Sequence, residues 1–205
     1  MKKLSVNSLN KLTEELASKI FDCVTVKKQS VEFISIDSLV IPHLLALDIV
    51  QKHTSKPNVS VGGCAWFSKI EIDVYCKQFP VPPEQYYKLK CDLWNAIRHE
   101  VEHMVQEEGE EAYSSSQKGF NHWKLYLNSK NEIEAYSAGC FYVAKRFNTT
   151  FSYEILRFAK SFYNDMLIEK IKSEKARKLI ADFIYEVDKY SIRRFGCSVN
   201  ENYEN

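Results

Sequence analysis

The chain has few of the features that assign a protein to a class at first sight. Its six cysteines are scattered without a Cys-x-x-Cys pair, and no apolar secretory segment follows Met1. Such a pair would indicate a redox or zinc motif, and a secretory segment would favour disulfides. We therefore expect reduced thiols in a cytoplasmic protein. The lysine- and asparagine-rich composition is typical of a phage or bacterial chain, and a viral protein would then act in the host cytoplasm.

Charge of one sign and long hydrophobic runs are also scarce. The 28 basic and 27 acidic residues give a net charge of +1, which does not favour nucleic acid or an anionic membrane as a partner. The longest apolar run, Leu39 to Val50, is interrupted by Pro42, His43 and Asp48 and is too short to span the ~30 Å of a bilayer core. The 45% hydrophobic fraction predicts a soluble globular protein with a real core.

One stretch carries chemistry, the motif His99-Glu100-Val101-Glu102-His103, which lies in a pattern typical of a helix. With ~3.6 residues per turn, the two histidines lie about 40° apart around the axis, so both imidazoles can reach one Zn²⁺. Glu100 lies about 60° from His103 on the same side, where a carboxylate can act as a general base without being a ligand. A third protein ligand must come from elsewhere in the chain.

Apolar spacing predicts the helices and strands around this motif. The predicted helices are Val6 to Val24, Ser38 to His53, Glu84 to Glu107, Asn131 to Arg146, Phe151 to Phe162 and Ala176 to Tyr190, and the predicted strands are Val31 to Ile36, Val59 to Phe67 and Ile70 to Cys76. Gly62-Gly63 indicates a bulge or a close approach of the backbone. His43 and His53 are ordinary helix residues in this interpretation. The polar stretch 107–119 is the best candidate for a mobile loop over the site.

A second informative segment, Glu132-Ile133-Glu134-Ala135, opens the helical pattern downstream of the motif. The small residues Ala135 and Ala138 of this pattern permit close helix packing. The two segments together resemble the zincin metallopeptidases, specifically the gluzincin-like arrangement in which a helical glutamate is the third ligand. The Glu-Ala pair is similar to the motif of several compact bacterial and phage members.

The resemblance implies a set of roles for the residues of this chain. His99, His103 and Glu134 would bind Zn²⁺, and Glu100 would be the general base. Glu132 is the competing choice for the third ligand. It lies about 200° from Glu134 around the helix, so the two glutamates cannot serve equally.

The resemblance also implies a fold. We expect one α+β, zincin-like domain over residues 1–205, mostly helical, with a small mixed sheet in its N-terminal half. Its parts would be N-terminal helices and a strand at 1–58, the metal-site core at 59–148, and C-terminal helices with a polar tail at 149–205. The strand before the motif helix, Ile70 to Cys76, would offer its edge to an extended peptide.

The expected function is therefore hydrolysis of a peptide bond in a peptide or protein substrate by a zinc-activated water. One alternative is a catalytically inactive interaction or structural protein on the same fold. Another is a carboxylate-bridged di-iron protein, which would need a second Glu-x-x-His that the chain lacks. The simplest alternative is a charged helix face on which Arg98, Glu100, Glu102 and His103 meet water. The sequence does not indicate an oligomeric state.

A peptidase also needs a group that stabilises the oxyanion of the transition state. His122, Tyr126 and Tyr136 form the pool of candidates, because all three lie near the expected third ligand in the sequence. His122 could instead support the metal as an additional or outer ligand.

Overall fold

The computed structural model describes residues 5–26, 31–35, 40–66, 68–106 and 119–200. These residues form, in chain order, α1 (Val6–Val26), β1 (Val31–Ser35), β2 (Ala46–His53), β3 (Ser60–Trp66), β4 (Lys69–Cys76), α2 (Tyr86–His103), α3 (Phe120–Asn128), α4 (Lys130–Phe147), α5 (Phe151–Ile168) and α6 (Ser173–Phe195). The expected α+β class, mostly helical with a small mixed sheet in the first half, is confirmed. No helix among the described residues is long and apolar enough to cross a membrane.

The chain divides into two compact units, Met1–Gln106 and Glu107–Asn205. The first unit holds α1, the sheet and α2, and the second holds α3 to α6. The single zincin-like domain expected over residues 1–205 stays a prediction.

The first unit is built on a four-stranded sheet with strand order β1-β2-β4-β3. β2 and β4 are parallel, whereas β1 with β2 and β3 with β4 are antiparallel, so the sheet is mixed. Alternate residues of β4, Ile70, Ile72 and Val74, are fully buried, because successive side chains point to opposite faces. On the other face, Lys69 Nζ lies 2.8 Å from Asp48 Oδ2. α2 packs against β3 and β4, and α1 packs against α2.

The helix expected over Ser38 to His53 is wrong, because Ala46–His53 forms strand β2. The alternate residues Leu47, Ile49 and Gln51 are buried, the pattern of a strand with one covered face. Pro42 lies in the turn that precedes this strand. His43 and His53 are therefore not helix residues.

The expectation that Ile70 to Cys76 offers a free edge is also wrong. This segment lies in β4, which pairs with β2 on one side and with β3 on the other. The edge next to the motif helix belongs to β3, which within the described residues pairs with β4 alone. Gly62 and Gly63 keep a continuous register with β4, so they mark a close approach and not a bulge.

α2 carries the motif and is held at its start and in its middle. Before its first turn, Gln85 Nε2 donates to the Pro57 carbonyl at 3.2 Å. In its middle, Trp94 Nε1 donates to Glu14 Oε2 of α1 at 2.8 Å. The helix ends at His103, short of the expected Glu107, which lies outside the described residues. Fully buried residues at four-residue steps form its core face: Leu89, Leu93, Ile97 and Val101.

The second unit is a helical assembly around an aromatic core. The expected helices at 131–146, 151–162 and 176–190 are confirmed and extend further, as α4, α5 and α6. α3 was not expected from the sequence. The core combines Phe162, Phe183 and Tyr136 with aliphatic residues of α5 and α6. The stretch 107–118, expected to be a mobile loop, lies outside the described residues.

Candidate metal centre

The two histidines of the motif face one another on the last turns of α2. His99 Nε2 and His103 Nε2 lie 3.0 Å apart, and the ring planes are almost perpendicular, at 82°. His99 is buried and His103 is half-buried. The four-residue spacing on a helix brings the rings together, as the sequence predicts.

The distance between these nitrogens fits a shared metal ion. Zinc binds imidazole nitrogen at ~2.0–2.1 Å with near-tetrahedral angles, which separates two such nitrogens by about 3.3 Å. The two nitrogens lie 3.0 Å apart in this structure, and a small rotation of either ring would lengthen this distance to that value. The pair is therefore shaped to supply two ligands.

Gln106 forms a hydrogen bond that favours one tautomer of His103. Its Oε1 lies 2.7 Å from His103 Nδ1, and an amide oxygen can only accept, so Nδ1 donates. A neutral ring then has its lone pair on Nε2, the atom that faces His99. A hydrogen bond of this type orients a metal-binding imidazole and increases its basicity. Sequence reasoning missed Gln106, although its position three residues after His103 was the available signal.

Glu100, the expected general base, is buried, with 5% of its surface exposed. It lies beside strand β3, so close that a Cβ atom at Gly63 would be 2.8 Å from Glu100 Oε1. The close approach expected at Gly62-Gly63 is therefore confirmed, and its partner is the Glu100 side chain.

The charged residues on the opposite side of α2 are buried too. Arg98 is 1% exposed and Glu102 is 7% exposed. Arg98 NH1 lies 2.7 Å from Glu102 Oε2, and Arg98 Nε donates to Asn10 Oδ1 of α1 at 3.2 Å. The interpretation of this stretch as a charged face that meets water is therefore wrong. Arg98 joins the motif helix to α1 within the first unit, and Glu102 pairs with Arg98 on the same helix.

Two glutamates of α4, Glu132 and Glu134, are the candidates for the third ligand. The two histidines belong to the first unit, whereas Glu132 and Glu134 belong to the second. The Glu134 carboxylate lies 4.0 Å from Lys130 Nζ on the same helix. Glu134 also lines a cavity of about 420 Å³ in the second unit, with Lys130, Glu186 and Arg193 among its walls. The assignment of Glu134 as third ligand stays a prediction, with Glu132 as its alternative.

The expected oxyanion donors contact one another in the second unit. The hydroxyl groups of Tyr126 and Tyr136 lie 2.6 Å apart, and the His122 ring stacks on Tyr126 with an interplanar angle of 12°. Tyr136 belongs to the aromatic core. Their role in catalysis stays a prediction.

Comparison of the chain with protein-family models, with curated proteins and with solved structures finds no match. The resemblance to zincins therefore rests on the motif residues themselves.

Proposed function

We propose that this protein is a zinc-dependent peptidase. The observation that supports the proposal best is the 3.0 Å approach of His99 Nε2 and His103 Nε2 next to the buried carboxylate of Glu100. A helix whose polar side chains served only solubility would not bury an imidazole and a carboxylate and bring a second imidazole within 3.0 Å, because buried polar groups are costly unless they are used or paired.

Zinc is the metal that this donor set favours. Imidazole nitrogen with one carboxylate oxygen is the ligand set of several catalytic zinc sites, and the remaining position is left for water or substrate. When bound, the ion would supply a Lewis acid that polarises a carbonyl and lowers the pKa of water.

Each residue of the site then has a separate role. His99 and His103 hold the ion, and Gln106 keeps the proton of His103 on Nδ1. Glu100 accepts a proton from the attacking water and passes it to the nitrogen of the leaving amine. The water oxygen forms a bond to the carbonyl carbon, and the carbon–nitrogen bond breaks. Burial of Glu100 limits its contact with bulk water, which strengthens its interaction with the reacting groups.

The third ligand is proposed to be a glutamate of α4. The resemblance to zincins favours Glu134, and Glu132 is the alternative. Glu132→Gln and Glu134→Gln differ only in position along one helix, so each serves as the control for the other. The variant that loses zinc identifies the ligand.

The test is the metal content of the protein purified without added metal, measured by mass spectrometry. We expect about one zinc per chain in the wild type, in line with a single site, and loss of zinc in His103→Ala. A protease assay on an unfolded protein substrate follows, with Glu100→Gln as control, and that variant should keep zinc and lose hydrolysis. Absence of zinc after reconstitution would rule out the proposal. Zinc without hydrolysis in the wild type would favour a metal-stabilised interaction or structural protein.

A further inference from the structure

Gly63 of the edge strand β3 lies directly against the side chain of Glu100. A Cβ atom at position 63 would lie 2.8 Å from Glu100 Oε1 and 2.9 Å from Glu100 Cγ, whereas ordinary contacts begin at 3.4 Å. The same atom would lie 3.0 Å from Cδ1 of Ile72 on the neighbouring strand. Any side chain at this position would therefore compete with Glu100 for space.

The reason for glycine here is space and not backbone conformation. Among the described residues, the glycines with positive φ are Gly119 and Gly196, so the backbone at Gly63 is one that alanine can adopt. Gly62 provides the contrast. A Cβ atom there would meet only Tyr75, at 4.0 Å, an ordinary contact.

The surroundings decide what would move if Gly63 carried a methyl group. α2 is held by Gln85 at its start and by the Arg98 hydrogen bond to Asn10 near its end. His43 Nε2 also donates to the Met104 carbonyl at 3.1 Å, just after the last helical residue. Ile72 is fully buried in the sheet, so it cannot turn aside without opening a cavity. The Glu100 side chain is the group that would yield.

We propose that Gly63 is a positioning residue for the general base. By lacking a side chain, it lets the backbone of β3 form the wall against which the Glu100 carboxylate lies, and this contact fixes the carboxylate relative to His99 and His103. The inference rests on the proposed peptidase function, and it adds to that function a determinant that lies outside the His-Glu-x-x-His motif.

The first experiment compares Gly63→Ala with the matched control Gly62→Ala, one residue away in the same strand. We expect both variants to bind as much zinc as the wild type, because the atoms nearest to each added methyl group belong to Glu100, Ile72 or Tyr75 and not to a histidine. Gly63→Ala should lower kcat about tenfold or more, since a small displacement of a reacting group is costly, and it should leave KM nearly unchanged. Gly62→Ala should stay within about twofold of the wild-type kcat, since its methyl group meets no reacting residue.

The second experiment measures the contact without relying on activity. Thermal unfolding is followed for the wild type, Gly63→Ala, Glu100→Ala and the double variant, which together form a double-mutant cycle. The methyl group should lower the midpoint in the presence of Glu100 and lower it much less in the Glu100→Ala background, where the contested space is free.

The outcomes separate this inference from the proposed function. An active wild type whose Gly63→Ala and Gly62→Ala variants behave alike would overturn the role of Gly63 and leave the peptidase intact. Loss of zinc in Gly63→Ala, or an equal loss of stability with and without Glu100, would also overturn it. A zinc-loaded wild type without hydrolysis would overturn the peptidase and, with it, any catalytic role for Gly63.

Discussion

Removal of one partner from the buried ion pair on α2 should cost far more stability than removal of both. Arg98→Met leaves the Glu102 carboxylate, whose side chain is 9% exposed, without its guanidinium partner. A buried charge that loses its partner costs about 3–5 kcal/mol. Replacement of both, as Arg98→Met with Glu102→Leu, removes the two charges together and should restore most of that loss.

The matched control is an exposed ion pair on α1. Lys19 and Glu15 have the same four-residue spacing, and their side chains are 43% and 58% exposed. Lys19→Met should therefore cost less than about 1 kcal/mol, as exposed pairs do. The two pairs differ chiefly in burial, so the comparison isolates the effect of desolvation.

The assay is urea unfolding followed by circular dichroism, with the midpoint and slope fitted for each variant. We expect the order wild type, Lys19→Met, double variant and Arg98→Met, from most to least stable. A double variant as unstable as Arg98→Met would refute the reasoning, because the loss would then come from packing or from the contact with Asn10. Equal losses for Lys19→Met and Arg98→Met would refute the role of burial.

Three further predictions concern other contacts. Gln106→Ala should weaken zinc binding about 10–100-fold, measured by competition with a chelator, and no change would show that the hydrogen bond to His103 does not tune the metal. The hydrogen bond to Asp73 raises the pKa of Lys52 above its ordinary value of 10.5, so the pair stabilises the folded state below that pH and the effect fades as pH rises through the raised pKa. Unfolding of Lys52→Met at about pH 8 and about pH 11.5 should thus show a small deficit that shrinks at the higher pH, and a constant deficit would contradict this linkage. Thr150→Ala should cost about 1 kcal/mol by removing the cap of α5, whereas Thr150→Ser should restore it, and equal unfolding midpoints for the two would exclude capping.

Elements that bury one face through a simple period could be predicted from the sequence. The strand of Ile70 to Cys76 follows strict alternation, and the motif helix follows a four-residue apolar step. β2 could not be predicted, because the apolar residues at 39–50 also fit a helical step and the parallel partner that selects the strand lies in β4. The same non-local pairing decides which strand is at the edge, and local sequence carries no information on it.

The candidate site shows the same division between local and distant information. His99 and His103 face one another because they are four residues apart in a helix, so the motif alone predicts this contact. Gly62-Gly63 indicates a close approach, but the identity of the partner, Glu100, depends on how α2 packs on the sheet. Gln106 could have been found only by asking what would orient His103.

The parallel pairing of β2 with β4 has a consequence for how the first unit folds. It joins two antiparallel pairs, β1 with β2 and β3 with β4, each of which connects strands that are neighbours in the chain. Local hairpins form within ~1–10 μs, whereas pairings between distant segments must first overcome the entropy of closing a longer loop. We therefore expect the pairing of β2 with β4 to be the rate-limiting step in the formation of this sheet. The β3–β4 hairpin, which places Gly63 beside Glu100, would then form before the sheet is complete.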